Sequence, residues 1–228
     1  MILSHEHKFI YIKTKKTASS SIEIALSEIC GPDDVITPTR ADLEAMRKRP
    51  GQNYRLDHQL VPKRALIKRL LGRPERHYHP SVGFYEHMPA WRVRAYVGEK
   101  IWSSYYKFSF ERNPWDRQVS WYRYKTRDKR KPPSFDQFNS NFKKAFVTNY
   151  DLYSINDEIV LDFVGTFENL HNDFPAVLST IGLTDKIELA KSNATARAIG
   201  YREFYNSESR DMIADWYIRE ITAFNYSF

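Results

Sequence analysis

A lysine pair followed by a hydroxyl run, Lys15-Lys16-Thr17-Ala18-Ser19-Ser20-Ser21, sits where a short apolar stretch gives way to a helical repeat. Lys16 brings an ammonium to this turn, and Thr17, Ser19, Ser20 and Ser21 bring hydroxyl donors. The first N–H groups of a helix, at the positive end of its dipole, complete a setting suited to an anion such as phosphate. A turn that only caps its helix is the plainer alternative, although one serine suffices for that. A second constellation lies further on, where Arg112 ends an apolar alternation and Ser120 follows about two helical turns later. A bidentate guanidinium with a hydroxyl nearby can grip a terminal phosphate. An Arg112–Asp116 ion pair would account for the same arginine without a ligand. Two such junctions in one chain point to a ligand with two separated phosphate-like groups.

The elements that must position these residues follow from periodicity. Phe9 to Ile12 form a run of strand formers, after which Ile22, Ala25, Leu26 and Ile29 repeat at helical spacing. Ser20 and Glu23 are spaced as a capping box, and Gly31-Pro32 stops the helix. Tyr106, Phe108 and Phe110 alternate with polar residues as a strand that runs straight into Arg112-Asn113-Pro114, with Pro114 suited to a first helical position. A third strand is predicted over 158–167, then a helix over 168–183 and a C-terminal helix over 207–224. Strands separated by helices predict a three-layer α/β fold with a mainly parallel central sheet.

With 228 residues, 42% of them hydrophobic, the chain can fill one core, and a single domain over 1–228 is expected. A basic insertion is read at about 33–78. Within it, Arg40 to Arg76 holds eleven Lys/Arg against four Asp/Glu, a surplus equal to the +7 of the whole chain. One short helix is expected near Lys63 to Leu71. The charge predicts anionic partners, whether nucleic acid, a phosphorylated cofactor or acidic glycans, or else a solvated basic face. The single cysteine, Cys30, excludes an internal disulfide and a cysteine-rich zinc site, and a cytoplasmic protein is expected. No apolar run reaches membrane-spanning length and no signal peptide is expected. None of the eight glycines falls in the Lys15–Ser21 turn, and neither a Walker A nor a G-x-G-x-x-G pattern occurs. His77 and His79 are too few for a metal site, and no metal is expected.

The two junctions together resemble the cofactor motifs of the sulfotransferase superfamily. "KKTASSS" is similar to its 5′-phosphosulfate loop, P-K-T-[GA]-[GT]-T-S, with Lys15 in place of proline and Ser19 at the small-residue position. "FERNPWDRQVSWY" is similar to its 3′-phosphate motif, R-N-P-x-x-R-x-x-S-x-Y. The likeness continues through "EHMPAWRVRAYVGEKIWSSYYKF", "VGTFENL" and the C-terminal "YREFYNSESRDMIADWYIREITAFNYSF", leaving Asp33 to Tyr78 unmatched. It implies a P-loop, nucleotide-kinase-like fold and a soluble, bacterial-type enzyme. Its activity would be transfer of a sulfuryl group from 3′-phosphoadenosine 5′-phosphosulfate (PAPS) to a hydroxyl, that of a carbohydrate or glycolipid. The loop Lys15 to Ser21, Ala18 included, would hold the 5′ end, with Lys16 meeting the charge of the leaving bisphosphate. Arg112 and Ser120 would hold the 3′-phosphate, and His87 matches the position of a catalytic base in this branch, with Glu86 as its substitute. A histidine that merely starts a helix is the alternative for His87. The competing function is a non-catalytic nucleic-acid-binding protein that uses the basic segment and "RYKTRDKRK".

Overall fold

The computed structural model describes residues 1–55, 83–184, 186, 187, 189 and 200–228. It opens on a buried strand too short for periodicity to reveal, β1 (Ile2–Ser4), which pairs antiparallel with β2 (Phe9–Tyr11). The Lys15–Ser21 turn leads into α1 (Ser19–Ser27), and the chain returns through β3 (Val35–Ile36), antiparallel to β1, to the one-turn α2 (Ala41–Glu44). Two helices, α3 (Ala90–Val97) and α4 (Glu99–Ser104), precede β4 (Tyr106–Glu111), which lies parallel to β2. Then come α5 (Pro114–Thr126) and the short α6 (Phe135–Asn139), α7 (Phe142–Ala145) and α8 (Tyr150–Tyr153). A small hairpin of β5 (Ser154–Ile155) and β6 (Glu158–Ile159) leads to β7 (Phe163–Thr166), parallel to β4. The chain closes with α9 (Leu170–Thr180), α10 (Ser207–Trp216) and α11 (Ile218–Phe224).

The sheet order is β3-β1-β2-β4-β7. Its three parallel strands carry the two loops of interest at their carboxyl ends, while the antiparallel pairings are confined to the β1–β3 edge. Alternation along the strands divides the core. Phe9, Tyr11, Phe108 and Phe110 meet Ile22 and Leu26 of α1 and Phe174 and Val177 of α9 on one face, while Leu3, Ile10 and Ile12 meet Val93 and Trp102 on the other. That is the three-layer arrangement expected, and burying each large side chain contributes about 1.5–3 kcal/mol. Gly165 of β7 is required by space, since a Cβ there would stand 2.6 Å from the Phe110 ring.

Some boundaries differ from expectation for local reasons. The strand predicted over 158–167 is two strands in different sheets, because Asp162 leaves the ladder to accept from the Lys107 N–H at 2.7 Å. The C-terminal helix breaks at Tyr217, whose φ of −122° departs from helical values while its hydroxyl is drawn into the core. The helix after β7 is shorter at both ends, Leu170–Thr180 rather than 168–183. The helix expected near Lys63 to Leu71 lies outside the described residues, as do His77 and His79.

Candidate active site

At the turn between β2 and α1, the residues from Thr14 to Ala18 wrap without glycine. Lys16 and Ala18 both take left-handed backbone angles, φ 64° and φ 58°. Such angles cost a non-glycine residue about 1–2 kcal/mol and persist only where neighbours enforce them. Those neighbours are specific. Asn149 accepts from the Lys15 N–H at 2.8 Å and donates to the Lys15 carbonyl at 3.0 Å, while Arg112 donates to the Lys16 carbonyl at 3.0 Å. Thr14 and Thr17 share a hydrogen bond of 2.8 Å beneath the turn. The predicted capping box does not form: α1 is capped by Ala18 with no side-chain hydrogen bond, because Ser20 is already inside the first turn and Glu23 points into the core. The first N–H groups of α1 thus have no side-chain partner from the cap.

These groups open on a cleft of ≈ 480 Å³. Lys15, Lys16, Ala18 and Ser19 to Ser21 line one side of it, Tyr85 to His87 another, and Arg40, Trp121, Tyr124 and Lys125 the rim. The Lys16 ammonium lies 4.5 Å above the Tyr124 ring, which also carries the Arg127 guanidinium at 4.4 Å. His87 Nδ1 lies 2.9 Å from the Lys13 carbonyl. A carbonyl only accepts, so Nδ1 carries the proton and Nε2 keeps its lone pair. Burial, with the nearby charges of Lys13 and Lys15, pulls the His87 pKa down to about 4 against the pull of Glu86. An unperturbed imidazole titrates near neutrality, whereas in the unliganded site this ring is already neutral well below pH 7. Glu86 is a poor substitute. Lys13 at 2.6 Å and the Thr39 hydroxyl at 2.9 Å bind its carboxylate, and its pKa lies below the ordinary value.

The structure does not bring every predicted residue to this cleft. The Thr17 side chain is fully buried under the turn and faces Thr14. Arg112 is buried, donates to Asp116 at 2.8 and 2.6 Å and stacks 3.9 Å over Phe167, so the ion pair considered from sequence is present. Burial lowers its pKa to about 10, which leaves it charged at neutral pH. Asp116, Ser120 and Tyr124 follow at i, i+4 intervals along one stripe of α5, and Arg112, between β4 and the helix, pairs with the first of them. That stripe runs from Asp116, whose partner Arg112 holds the Lys16 carbonyl, to Tyr124, under the Lys16 ammonium. Ser120 is half-buried on it and does not line the cleft.

Two buried carboxylates support the turn from behind, and sequence reasoning missed the role of both. Glu23 meets the Met1 amino group, Lys13 and Arg47, and its pKa is held at about 2 because those three cations outweigh burial. Arg47 also pairs with Glu44 at 2.9 Å. Arg47 is 8% exposed, so it serves neither of the two roles considered for the basic stretch, an anion-recruiting surface or a solvated basic face. Glu111, at the end of β4, accepts from Arg117 at 2.7 Å, the Arg112 N–H at 2.8 Å, Tyr153 at 2.8 Å and Asn149 at 3.1 Å. Arg117 continues to Glu220 of α11 at 2.9 Å. Among the described residues, no group of three or more His, Cys, Asp or Glu is placed to hold a metal ion, and no helix is long and apolar enough to cross a membrane.

A turn that gathers lysines and serines at a helix start without a side-chain cap, at the carboxyl edge of parallel strands and facing a neutral histidine, suits an anionic ligand. Residues 1–227 match the Sulfotransferase family, and the chain belongs to it. An uncharacterized protein from Archaeoglobus fulgidus is 37% identical over 118 residues, covering 47% of this chain and 92% of that protein. A crystal structure of a sulfotransferase from Alicyclobacillus acidocaldarius aligns over 96% of both chains at 17% identity with a TM-score of 0.44.

Proposed function

We propose that this sulfotransferase uses PAPS as donor and a hydroxyl, that of a carbohydrate or glycolipid, as acceptor. The observation that carries this reading is one cleft that holds Lys15, Lys16 and Ser19 to Ser21 on one side and the His87 ring on another. The residues present fit the donor's phosphosulfate end: two ammonium groups, three hydroxyls and helix N–H groups without a side-chain cap. Bound there, the donor supplies a sulfuryl group on a stable leaving bisphosphate. Ser20, Ser21 and the N–H groups of α1 hold its 5′-phosphate, and Lys16 neutralises charge as it develops on the leaving oxygen. His87 keeps its Nδ1 proton on the Lys13 carbonyl and takes the acceptor's hydroxyl proton at Nε2. An anion in the cleft offsets the charges of Lys13 and Lys15, which raises the His87 pKa and makes it a stronger base once donor is bound. Arg112, between β4 and α5, and Ser120 on α5 would meet the 3′-phosphate, with Arg112 exchanging its bond to Asp116 for one to phosphate. A single domain over 1–228 with a basic insertion at about 33–78 remains our reading of the organisation. Arg40 on the cleft rim supports a role for that stretch in recruiting acceptor.

The experiment pairs binding with rate. Adenosine 3′,5′-bisphosphate should bind by calorimetry, and Lys16→Ala should weaken turnover more than it weakens that binding. His87→Asn should lower kcat by roughly a hundredfold or more with bisphosphate affinity nearly intact. The wild-type kcat/KM should fall on the acid side with a midpoint near pH 4, in line with the depressed His87 pKa, and the variant should lose that limb. Near-normal turnover with an unchanged pH profile in His87→Asn would place the base elsewhere.

A further inference from the structure

Each nitrogen of the Arg112 guanidinium donates to a partner. Nε and Nη2 share one oxygen of Asp116, at 2.8 and 2.6 Å, and Nη1 reaches the Lys16 carbonyl at 3.0 Å. The flat face stacks 3.9 Å from the centre of the Phe167 ring, and Phe167 is fixed in turn, since its N–H donates to the Glu111 carbonyl at 2.7 Å. The Arg112–Asp116 pair is sheltered, with side chains 5% and 13% exposed. Burial lowers the Arg112 pKa, and the charge of Glu168, whose carboxylate accepts from the Asn113 N–H at 2.8 Å, pulls the other way. A carboxylate beside an anion-binding arginine either aims the guanidinium or competes for it, and the division of these contacts separates the two roles. Phe167 and the Lys16 carbonyl set the plane of Arg112 without Asp116. Asp116 occupies the Nε–Nη2 edge, which is suited to take a phosphate through two parallel bonds. The motif R-N-P-x-x-R leaves the Asp116 position open, so this carboxylate is a feature of the chain rather than of the pattern.

We propose that Asp116 is a built-in competitor for the 3′-phosphate: it occupies the Nε–Nη2 edge of Arg112 in the unliganded site, must be displaced when nucleotide binds, and thereby holds down the affinity for the bisphosphate product and speeds its release. The proposal rests on the reading of the donor as PAPS with its 3′-phosphate at Arg112. A phosphate displaces a carboxylate from a guanidinium edge because it brings more charge to the same two donors. A nucleotide with a free 3′-hydroxyl brings none, and it binds with the ion pair intact. When the product leaves, Asp116 retakes the edge, so the buried guanidinium is never left without an anion. Product release limits turnover in many enzymes, and a carboxylate that returns to the arginine lowers the barrier to that step.

The test compares adenosine 3′,5′-bisphosphate with adenosine 5′-monophosphate, by calorimetry for affinity and by surface plasmon resonance for dissociation rate. Asp116→Asn replaces the carboxylate by a neutral acceptor, and it should bind the bisphosphate about tenfold more tightly, chiefly through slower dissociation. The monophosphate should bind it as it binds the wild type, within about twofold. Asp116→Glu keeps the charge and should bind the bisphosphate more weakly than Asp116→Asn does. A carboxylate that merely aims Arg112 gives the opposite sign, so weaker bisphosphate binding in Asp116→Asn overturns the proposal. Equal tightening of both nucleotides overturns it too, because the effect is then one of general charge rather than of the 3′-phosphate. A second measurement needs no variant and stands even if Asp116→Asn folds poorly: the Arg112 Nε resonance of the wild type should shift on adding bisphosphate and stay in place on adding monophosphate. A resonance that bisphosphate leaves unmoved refutes the exchange. If bisphosphate does not bind the wild-type protein, the PAPS reading falls and takes the competitor with it, whereas binding that is unchanged in Asp116→Asn upholds the donor site and removes the competitor alone.

Discussion

Glu23 and Glu111 are both fully buried, both stand behind the same turn, and their surroundings push them in opposite directions. Around Glu23 gather an amino group, a lysine and an arginine, and the carboxylate pKa falls to about 2. Around Glu111 the cation in hydrogen-bond reach through its side chain is Arg117, itself shared with Glu220. Burial outweighs Arg117, so the Glu111 pKa is raised above the ordinary carboxylate value. The remaining partners of Glu111 are neutral: the Tyr153 hydroxyl, the Asn149 amide and a backbone N–H. The difference follows from what each carboxylate must hold. Glu23 ties charged groups together, so charge is its means. Glu111 fixes the orientation of an amide whose other bonds reach both polar groups of Lys15, and orientation needs directional donors more than net charge.

The strongest way to break this contrast is Glu23→Gln. A neutral amide cannot replace the carboxylate shared by the Met1 amino group, Lys13 and Arg47; Lys13 keeps Glu86 and Arg47 keeps Glu44, and a loss of about 3 kcal/mol in urea unfolding is expected. Its pH dependence has a definite sign. Because the folded-state pKa lies below the unfolded one, the contribution of Glu23 is complete above the ordinary carboxylate range and disappears as pH falls from about 4.5 toward 2. Wild-type stability should drop across that window and the drop should shrink in Glu23→Gln; equal slopes would refute the assignment.

Glu111→Gln sharpens the comparison with a smaller effect. The ionised form is already disfavoured by burial, so its loss should cost about 1–2 kcal/mol. The raised pKa gives the opposite slope: the group's contribution declines as pH rises from the ordinary carboxylate range through its elevated folded-state value. Because the new amide competes for the bonds that orient Asn149, bisphosphate affinity should weaken a few-fold as well. Matching losses of stability in the two glutamine variants, with no change in affinity, would show that the two carboxylates do the same job.

The smallest effect belongs to the turn they support. Ala18→Gly relieves a left-handed alanine at the expense of a freer unfolded chain, and a net gain of about 0.5–1 kcal/mol is expected in thermal unfolding. A loss of stability would mean that the alanine methyl is needed for packing.

The strand–turn–helix unit was legible because the repeat changes from strand to helix across Lys15 to Ser21, and Pro114 marked the start of α5 for an equally local reason. The buried ionic networks were not legible. Met1, Lys13, Glu23 and Arg47 are scattered through the sequence, and local rules read Glu23 as a cap and Arg47 as part of a charged surface. Asn149 had no signal at all, since its value lies in facing a loop far back in the chain. The strands β1 and β3, of three and two residues, fall below any detectable period. His87 was singled out by resemblance, whereas its proton position and depressed pKa depend on the Lys13 carbonyl and neighbouring charges that only the fold assembles.

The absence of glycine from the Lys15–Ser21 turn carries a thermodynamic consequence. Lys16 and Ala18 reach left-handed angles with side chains attached, so the unliganded turn has few alternative conformations once Asn149 and Arg112 hold it. Little conformational entropy is then left to lose when a ligand arrives, because ordering has already occurred during folding. A glycine-rich anion loop defers that loss to the moment of binding. In this protein, bisphosphate association should show a small entropic penalty, and inserting glycines at Lys15 or Ser19 should transfer the penalty from the folding reaction to the binding reaction.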